Sequence, residues 1–286
     1  MASSVRKVRD REFTIFHPSD FSLPSEAAFA HALKIALQSK AKLDIMHVEP
    51  QLEPERPYWI EYPAVRSTLA RWGLLPAGVR PEEVAKVGVL VRKVLTVSSS
   101  PLDSMLRHFR RFRPDLIVLA THQREGLDRW LHQATAEPLA RKSGAMTLFV
   151  PRAGRGFVSL ADGAVKLERI LIPVDHDPDP QTAIDKASLL AKGLGCTSAE
   201  LRLLHVGKGE KMPVLDLPRA GWSYRTVLTQ GNVVEEILKA ENEWQADLLV
   251  LMTQGHLDFL DALRGSTTER VLRGAHCAVL AIPASR

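Results

Sequence analysis

The apolar positions of the chain fall into short runs separated by stretches with helical spacing. "EFTIF", "ERILIPV", "LIVLA" and "LLVLM" are strand-sized runs of aliphatic and β-branched residues, and none approaches the length of a membrane span. Between them stand alanine-rich stretches that read as helices, "SEAAFAHALKIALQS" and "QTAIDKASLLAKGLG". Strands that are apolar throughout, rather than alternating, are buried on both faces. Their alternation with helices predicts parallel sheets covered by helices on both sides, with right-handed crossovers.

The pattern occurs twice. A first strand at Phe13–Phe16 leads to a turn carrying Asp20, and another at Ile170–Val174 leads to Asp175. Each is followed by an alanine-rich helix and then by a strand ending in His-Val, at His47-Val48 and His205-Val206. "RHFRRFRPDLIVLATHQ" matches "ENEWQADLLVLMTQG", and "EPLARKSGAMTLFVPR" matches "TERVLRGAHCAVLAIPA". Asp20 and Asp175 are 155 residues apart and His47 and His205 are 158 apart, whereas Asp115–Asp247 and Pro151–Pro283 are both 132 apart. About 26 extra residues therefore lie in the first half, between His47 and Asp115. The aromatic- and proline-bearing segment at about 50–85 accounts for them. An internal repeat of this kind predicts two doubly wound α/β domains, at 1–155 and 165–286, joined by "PRAGRGFVSLADGAVKLE", which reads as a linker.

Composition changes this picture little. The chain has 286 residues, enough for two cores, with 45% hydrophobic and 25% charged residues, as in an ordinary globular protein. The net charge of +5 is mild and does not call for a nucleic acid partner. The densest basic run, "RHFRRFR", carries Leu102, Met105, Leu106 and Phe109 at helix-face spacing, which predicts an amphipathic helix with a solvated arginine face. "MASSVRKVRDREF" has charges without an apolar stretch behind them, so it does not read as a secretory signal. Two cysteines, Cys196 and Cys277, form neither a metal-ligand spacing nor a disulfide framework, and a reducing cytoplasm is the expected compartment.

In open α/β sheets ligands bind beyond the carboxyl ends of the strands, where strand order reverses. This rule selects Asp175 after the first strand of the second half, Val206 and Gly207 after its second, and Met252–Gly255 after its fourth. "RGSTTERVL" adds Gly265, Ser266 and Thr267 at a helix start. Glycine lets backbone N–H groups approach phosphate oxygens, and a helix N-terminus favours an anion. The same residues also spell a capping box, with Ser266 as cap and Glu269 three residues on. Phosphate contact and capping both fit the spacing.

On "ILIPVD", "LLHV", "ADLLVLMTQG" and "GSTTERVLRGAHCAVLAIP", the chain resembles a tandem universal stress protein over nearly its whole length, the inserted segment excepted. The resemblance implies two five-stranded, flavodoxin-like parallel-sheet domains whose last strands, "MTLFV" and "AVLAI", pair as an internal pseudo-dimer. It also implies a cytoplasmic stress-response regulator that binds ATP or another adenine nucleotide (with Mg²⁺ if a triphosphate) through G-x2-G-x9-G-(S/T). Carried over, Pro173, Val174 and Asp175 take the place of the strand-one end near the adenine, and Val206 that of a backbone contact to it. Gly255, Gly265, Ser266 and Thr267 take the later part of the motif, while Met252 stands at the first glycine. In the first half Ala120, Gln123 and Gln133-Ala134 replace the glycines and serine, so that half is a degenerate domain, its crevice empty, filled near Trp130, or used otherwise. Asp20 is reached there after a longer turn. The readings that follow are a nucleotide-linked regulatory module that does not turn over substrate, a protein-binding scaffold that has lost nucleotide, and a slow ATP hydrolase. A protein partner is expected but not specified, and a homodimer is compatible with the pattern.

Other constellations read structurally. "HDPDP" (His176–Pro180) offers an imidazole and carboxylates for a metal, but its prolines equally make a turn and cap before a helix near Gln181. His47 and His205 read as strand-end residues, and Cys277 as core. His122 and His132 have no nucleophile with suitable partners nearby. Tyr58, Trp59, Tyr62 and Trp72 can stack on a partner or pack on their own domain.

Overall fold

The computed structural model describes residues 12–20, 23–49, 51, 64–121, 136–151, 155–207, 212–217, 221–253 and 267–284. The first half supplies β1 (Thr14–Pro18), α1 (Leu23–Ser39), β2 (Lys42–Glu49), α2 (Val65–Arg71), a 3-10 helix (Pro81–Val87), β3 (Leu90–Val97), α3 (Pro101–Arg111), β4 (Leu116–Thr121), α4 (Ala136–Ser143) and β5 (Met146–Pro151). The second supplies β6 (Arg169–Pro173), α5 (Gln181–Gly193), β7 (Ala199–Val206), β8 (Trp222–Thr229), α6 (Val233–Trp244), β9 (Leu248–Thr253), α7 (Thr267–Gly274) and β10 (Ala278–Pro283).

The strands form one ten-stranded sheet in the order β3-β2-β1-β4-β5-β10-β9-β6-β7-β8. Within each half all pairs are parallel, and the halves meet where β5 and β10 run antiparallel, Phe149 opposite Val279 and Leu148 opposite Leu280. The expected internal pseudo-dimer is therefore present. This pairing removes two strand edges that would otherwise expose unpaired backbone groups.

Period-two alternation sends each strand's side chains to two covered faces. On one face Ile15, Leu43, Val118, Leu148, Ile170, Val250 and Leu280 pack beneath α1 and α5. Those two helices touch each other across the halves, and their buried alanines, Ala32 and Ala36 on α1 with Ala183 and Ala187 on α5, permit close packing. On the other face Phe16, Ile117, Phe149, Leu249 and Val279 lie under Met105 and Phe109 of α3, Leu139 of α4, Ile237 of α6 and Val271 of α7. The "RHFRRFR" helix thus buries its predicted apolar face.

Corresponding residues bond in the same way in both halves. Asp115 accepts a hydrogen bond from the Thr14 N–H (2.9 Å) and its own N–H donates to Thr14 O (2.8 Å). Asp247 accepts from the Glu168 and Arg169 N–H groups (both 2.9 Å) and donates to Arg169 O (2.8 Å). These carboxylates lock the start of strand one to the start of strand four. Counted from Thr14 and Arg169, Asp20 and Asp175 stand at the same step, and the Ser19 and Val174 N–H groups donate alike to Met46 O and Leu204 O (2.9 and 2.8 Å). The first-half turn is not longer than its counterpart, because "HPSD" keeps the register of "IPVD".

The glycine-bearing joint is packed against both halves. Phe157, Val158 and Leu167 are buried, and Val158 bridges to Val165 as a small hairpin. His31 on α1 holds it: Nδ1–H donates to Ala27 O (2.7 Å), and Nε2 accepts from the Phe157 and Val158 N–H groups (2.9 and 3.1 Å). On the other side Arg155 donates to the fully buried carboxylate of Glu241 (2.7 Å). Trp72, the described aromatic of the inserted segment, lies under Lys34 of α1 and packs on the joint, donating from Nε1 to Leu160 O (3.3 Å). Tyr58, Trp59 and Tyr62 lie outside the described residues.

Candidate functional site

Strand order reverses between β1 and β4 in the first half and between β6 and β9 in the second, since strand one pairs with strand two on one side and strand four on the other. Two crevices therefore open at the carboxyl ends of these strands. In the second, Pro173 closes β6 opposite Leu204, Val174 is buried and Asp175 is exposed immediately after it. His205 fixes this corner, its Nδ1–H donating to Val174 O (3.0 Å). Asp175 Oδ1 accepts from the His176 N–H (2.8 Å). Val206, half-buried, ends β7 opposite Thr229. The structure thus brings Pro173, Val174, Asp175 and Val206 to one corner.

The next residue, Gly207, stands close against the His205 ring. A Cβ there would meet His205 Nε2 at 2.7 Å, and the ring is pinned by Val174 O. The first half differs at this point. His47 Nδ1–H donates to Ser19 O (2.6 Å), as His205 does to Val174 O, and Val48 faces Thr96 as Val206 faces Thr229. But Glu49 occupies the step held by Gly207. It is buried, with its carboxylate 3.6 Å from His47 Nε2. Deeper in the same half, His17 lies wholly buried between Val118 O (3.0 Å from Nδ1) and Ser25 Oγ (3.4 Å from Nε2). Burial lowers its pKa to about 4, against the opposing effects of the Val118 carbonyl and Asp20, so it is a neutral structural residue at ordinary pH.

Met252 is the penultimate residue of β9, opposite Ile282, and its partly buried side chain packs against the core. Thr253 is buried with its hydroxyl toward Ile282 O (3.4 Å). Thr267 opens α7 and is exposed. Gly255, Gly265 and Ser266 lie outside the described residues, as do Gln123, Trp130, Gln133 and Ala134, along with His122 and His132. Glu269, the far member of the capping box, is buried and pairs with Arg273 one turn on.

The "HDPDP" segment behaves as a turn and cap: Asp179 Oδ1 accepts from the Gln181 N–H (3.0 Å), where α5 begins. Among the described residues no group of three or more His, Cys, Asp or Glu is arranged to hold a metal. Burial pushes the Cys277 thiol well up, in keeping with a core residue. No described helix is long and apolar enough to cross a membrane.

A cluster missed by sequence reading joins three elements. Asp44 on β2 is buried against Arg92 on β3 and His108 on α3, and Phe112 stacks under the Arg92 guanidinium (3.7 Å). Burial pushes the Asp44 carboxyl up, but its bonds to His108 and Arg92 outweigh this and hold it below the usual carboxylate range. The corresponding place in the second half carries Arg202 over Trp244 (4.1 Å) instead. The repeat was legible here, but the pairing was not, because Asp44 and His108 are far apart in sequence.

The fold is shared with solved structures over nearly the whole chain. A universal stress protein from Archaeoglobus fulgidus DSM 4304 matches with TM-score 0.63 at 14% identity, covering 95% of this chain and 96% of that one. A functionally unknown protein from Pseudomonas aeruginosa PAO1 matches with TM-score 0.60 at 14% identity, over 96% and 93%. At such identities the likeness is one of fold. A universal stress protein solved in complex with cAMP matches 49% of this chain and 98% of its own at 19% identity, with TM-score 0.35. No curated protein sequence matches the chain. The model of the universal stress protein family matches residues 14–151 and 217–283, and the chain belongs to that family. Pro173, Val174, Asp175 and Val206 lie between the two matched segments.

Proposed function

We propose that the protein is a stress-response regulator of the cytoplasm that binds an adenine nucleotide in its second crevice and acts by binding rather than turnover. Its domains are taken as 1–155, a degenerate half, and 165–286, the binding half. The observation that carries this reading is the contrast between Gly207 and Glu49. At the end of β7 bare backbone stands beside Val206 and Asp175, whereas the matching step of the first half holds a buried carboxylate. Without a side chain at Gly207 the strand-end backbone is open to the flat face of a base, whereas the Glu49 side chain fills the matching step of the first half. Asp175 and the Val206 backbone meet the base, while Gly255, Gly265, Ser266 and Thr267 hold phosphate and ribose. Met252 weighs less against this than its position in the motif implies, because its side chain packs on the core as part of β9.

One observation favours the scaffold reading: Met252 puts a large side chain at the first glycine position, and a scaffold needs no phosphate loop. Calorimetric titration of ATP with Mg²⁺ separates the two readings. The wild-type protein is expected to bind about one nucleotide per chain, and Gly207→Glu and Gly265→Val to bind none while melting cooperatively. Equal binding by all three proteins would refute the site. No binding by any would favour the scaffold.

A further inference from the structure

We infer that the described part of the first half from Ala64 to Lys93 builds a separate binding site for a small apolar anion, a medium-chain carboxylate being the simplest example, in a cavity between α2, the 3-10 helix and the edge strand β3. The cavity measures about 760 Å³ and opens to solvent. That size lies within the range of small-molecule sites, which are mostly apolar with a few fixed polar groups.

Three elements line it. Helix α2 buries Thr68 and Leu69 against the domain and lines the cavity with Val65, Arg66, Ser67 and Ala70. The 3-10 helix contributes Pro81, Val84 and Ala85, Val89 follows it, and β3 contributes Leu90, Val91 and Lys93. The walls are thus small and aliphatic, and water gains few hydrogen bonds against them.

The polar group is already positioned. Arg66 reaches across the cavity rim and donates from one terminal nitrogen to Val79 O (3.1 Å). This bond orients the guanidinium, whose other N–H groups suit a carboxylate. A ligand with an aliphatic body and one negative charge satisfies both walls and rim. A cation does not, since the Arg66 guanidinium stands at the rim. This site is distinct from the two strand-end crevices, and its occupancy does not depend on whether nucleotide binds.

The test is calorimetric titration of the full-length protein with decanoate, and with decylamine as a probe of the same length and opposite charge. Saturable binding of decanoate near one per chain is expected, with none for decylamine. Arg66→Gln should weaken decanoate at least about tenfold. Ala70→Phe, which fills the cavity from a half-buried helix position, should abolish it, and both variants should bind ATP as the wild type does. Absence of decanoate binding, equal binding of decylamine, or undiminished binding by Ala70→Phe would each overturn the inference.

Discussion

Acidification should destabilise this protein well above the range in which its carboxylates titrate, and two buried histidines set the size of the effect. His31 and His17 are each wholly buried, and burial lowers each pKa from 6.5 to about 4, opposed in part by the Ala27 and Val118 carbonyls. For His31 the geometry explains the shift. Its Nδ1 must carry the proton toward Ala27 O, and its Nε2 must stay bare to accept from Phe157 and Val158. A second proton would break both acceptor bonds that tie the joint to α1. Because the folded pKa lies below the unfolded one, the contribution is complete above about pH 6.5 and is lost as pH falls toward about 4, where the native histidines also take up protons. The full difference corresponds to about 3 kcal/mol per histidine. Between about pH 7.5 and about pH 5.5 the expected loss is roughly 1.3 kcal/mol each, or about 3 kcal/mol together. Asp44 does not interfere, since its depressed carboxyl sheds stability only as pH falls below about 4. Urea unfolding at the two pH values measures the loss directly. His31→Gln keeps an acceptor and a donor without titrating, and should remove about half of the pH dependence. A wild-type protein whose stability is flat or rises on acidification, or a His31→Gln variant with undiminished pH dependence, would refute the reasoning.

Further outcomes are expected from the same contacts. His31→Leu leaves the Phe157 and Val158 N–H groups without their acceptor and should cost roughly 2–4 kcal/mol at neutral pH, read from urea midpoints. Gly163→Ala should destabilise by about 1–3 kcal/mol in thermal melts, because Gly163 has φ +69° and a Cβ there would meet the Trp72 indole at 2.5 Å. Asp247→Ala removes the acceptor of two backbone N–H groups at the start of β6 and should cost roughly 2–4 kcal/mol, while Asp247→Asn should recover part of this. Asp175→Ala should leave the melting temperature nearly unchanged, since the side chain is exposed, yet weaken adenine nucleotide severalfold by titration.

The architecture was legible because repetition and uninterrupted apolar runs are local signals. Strands were expected at "EFTIF", "ILIPV", "LIVLA" and "LLVLM", and β1, β6, β4 and β9 lie there. The pairing of "MTLFV" with "AVLAI" followed from the family resemblance and is present as β5 against β10. The edge strands β3 and β8 were not marked by their residues. "LVRKVLTV" and "WSYRTVLT" carry arginine, lysine and threonine on half-exposed faces, which blurs a strand pattern. The glycines of the joint mark it as a linker, but its packing was not legible, because the contacts come from His31, Trp72 and Glu241, far away in sequence. At the site, strand ends such as Asp175 and Val206 could be read from register. The contrast between Gly207 and Glu49 was equally present in "LLHVGK" and "IMHVEP", but it acquired meaning only once the histidines were seen to hold both steps alike.

The central claim is that the second crevice holds an adenine nucleotide. Mass spectrometry of the purified protein, under native and then denaturing conditions, tests it most directly. The account predicts about one ATP or ADP released per chain, absent from protein carrying Gly207→Glu. A native mass equal to that of the bare chain, together with no rise in melting temperature on adding ATP and Mg²⁺, would contradict it.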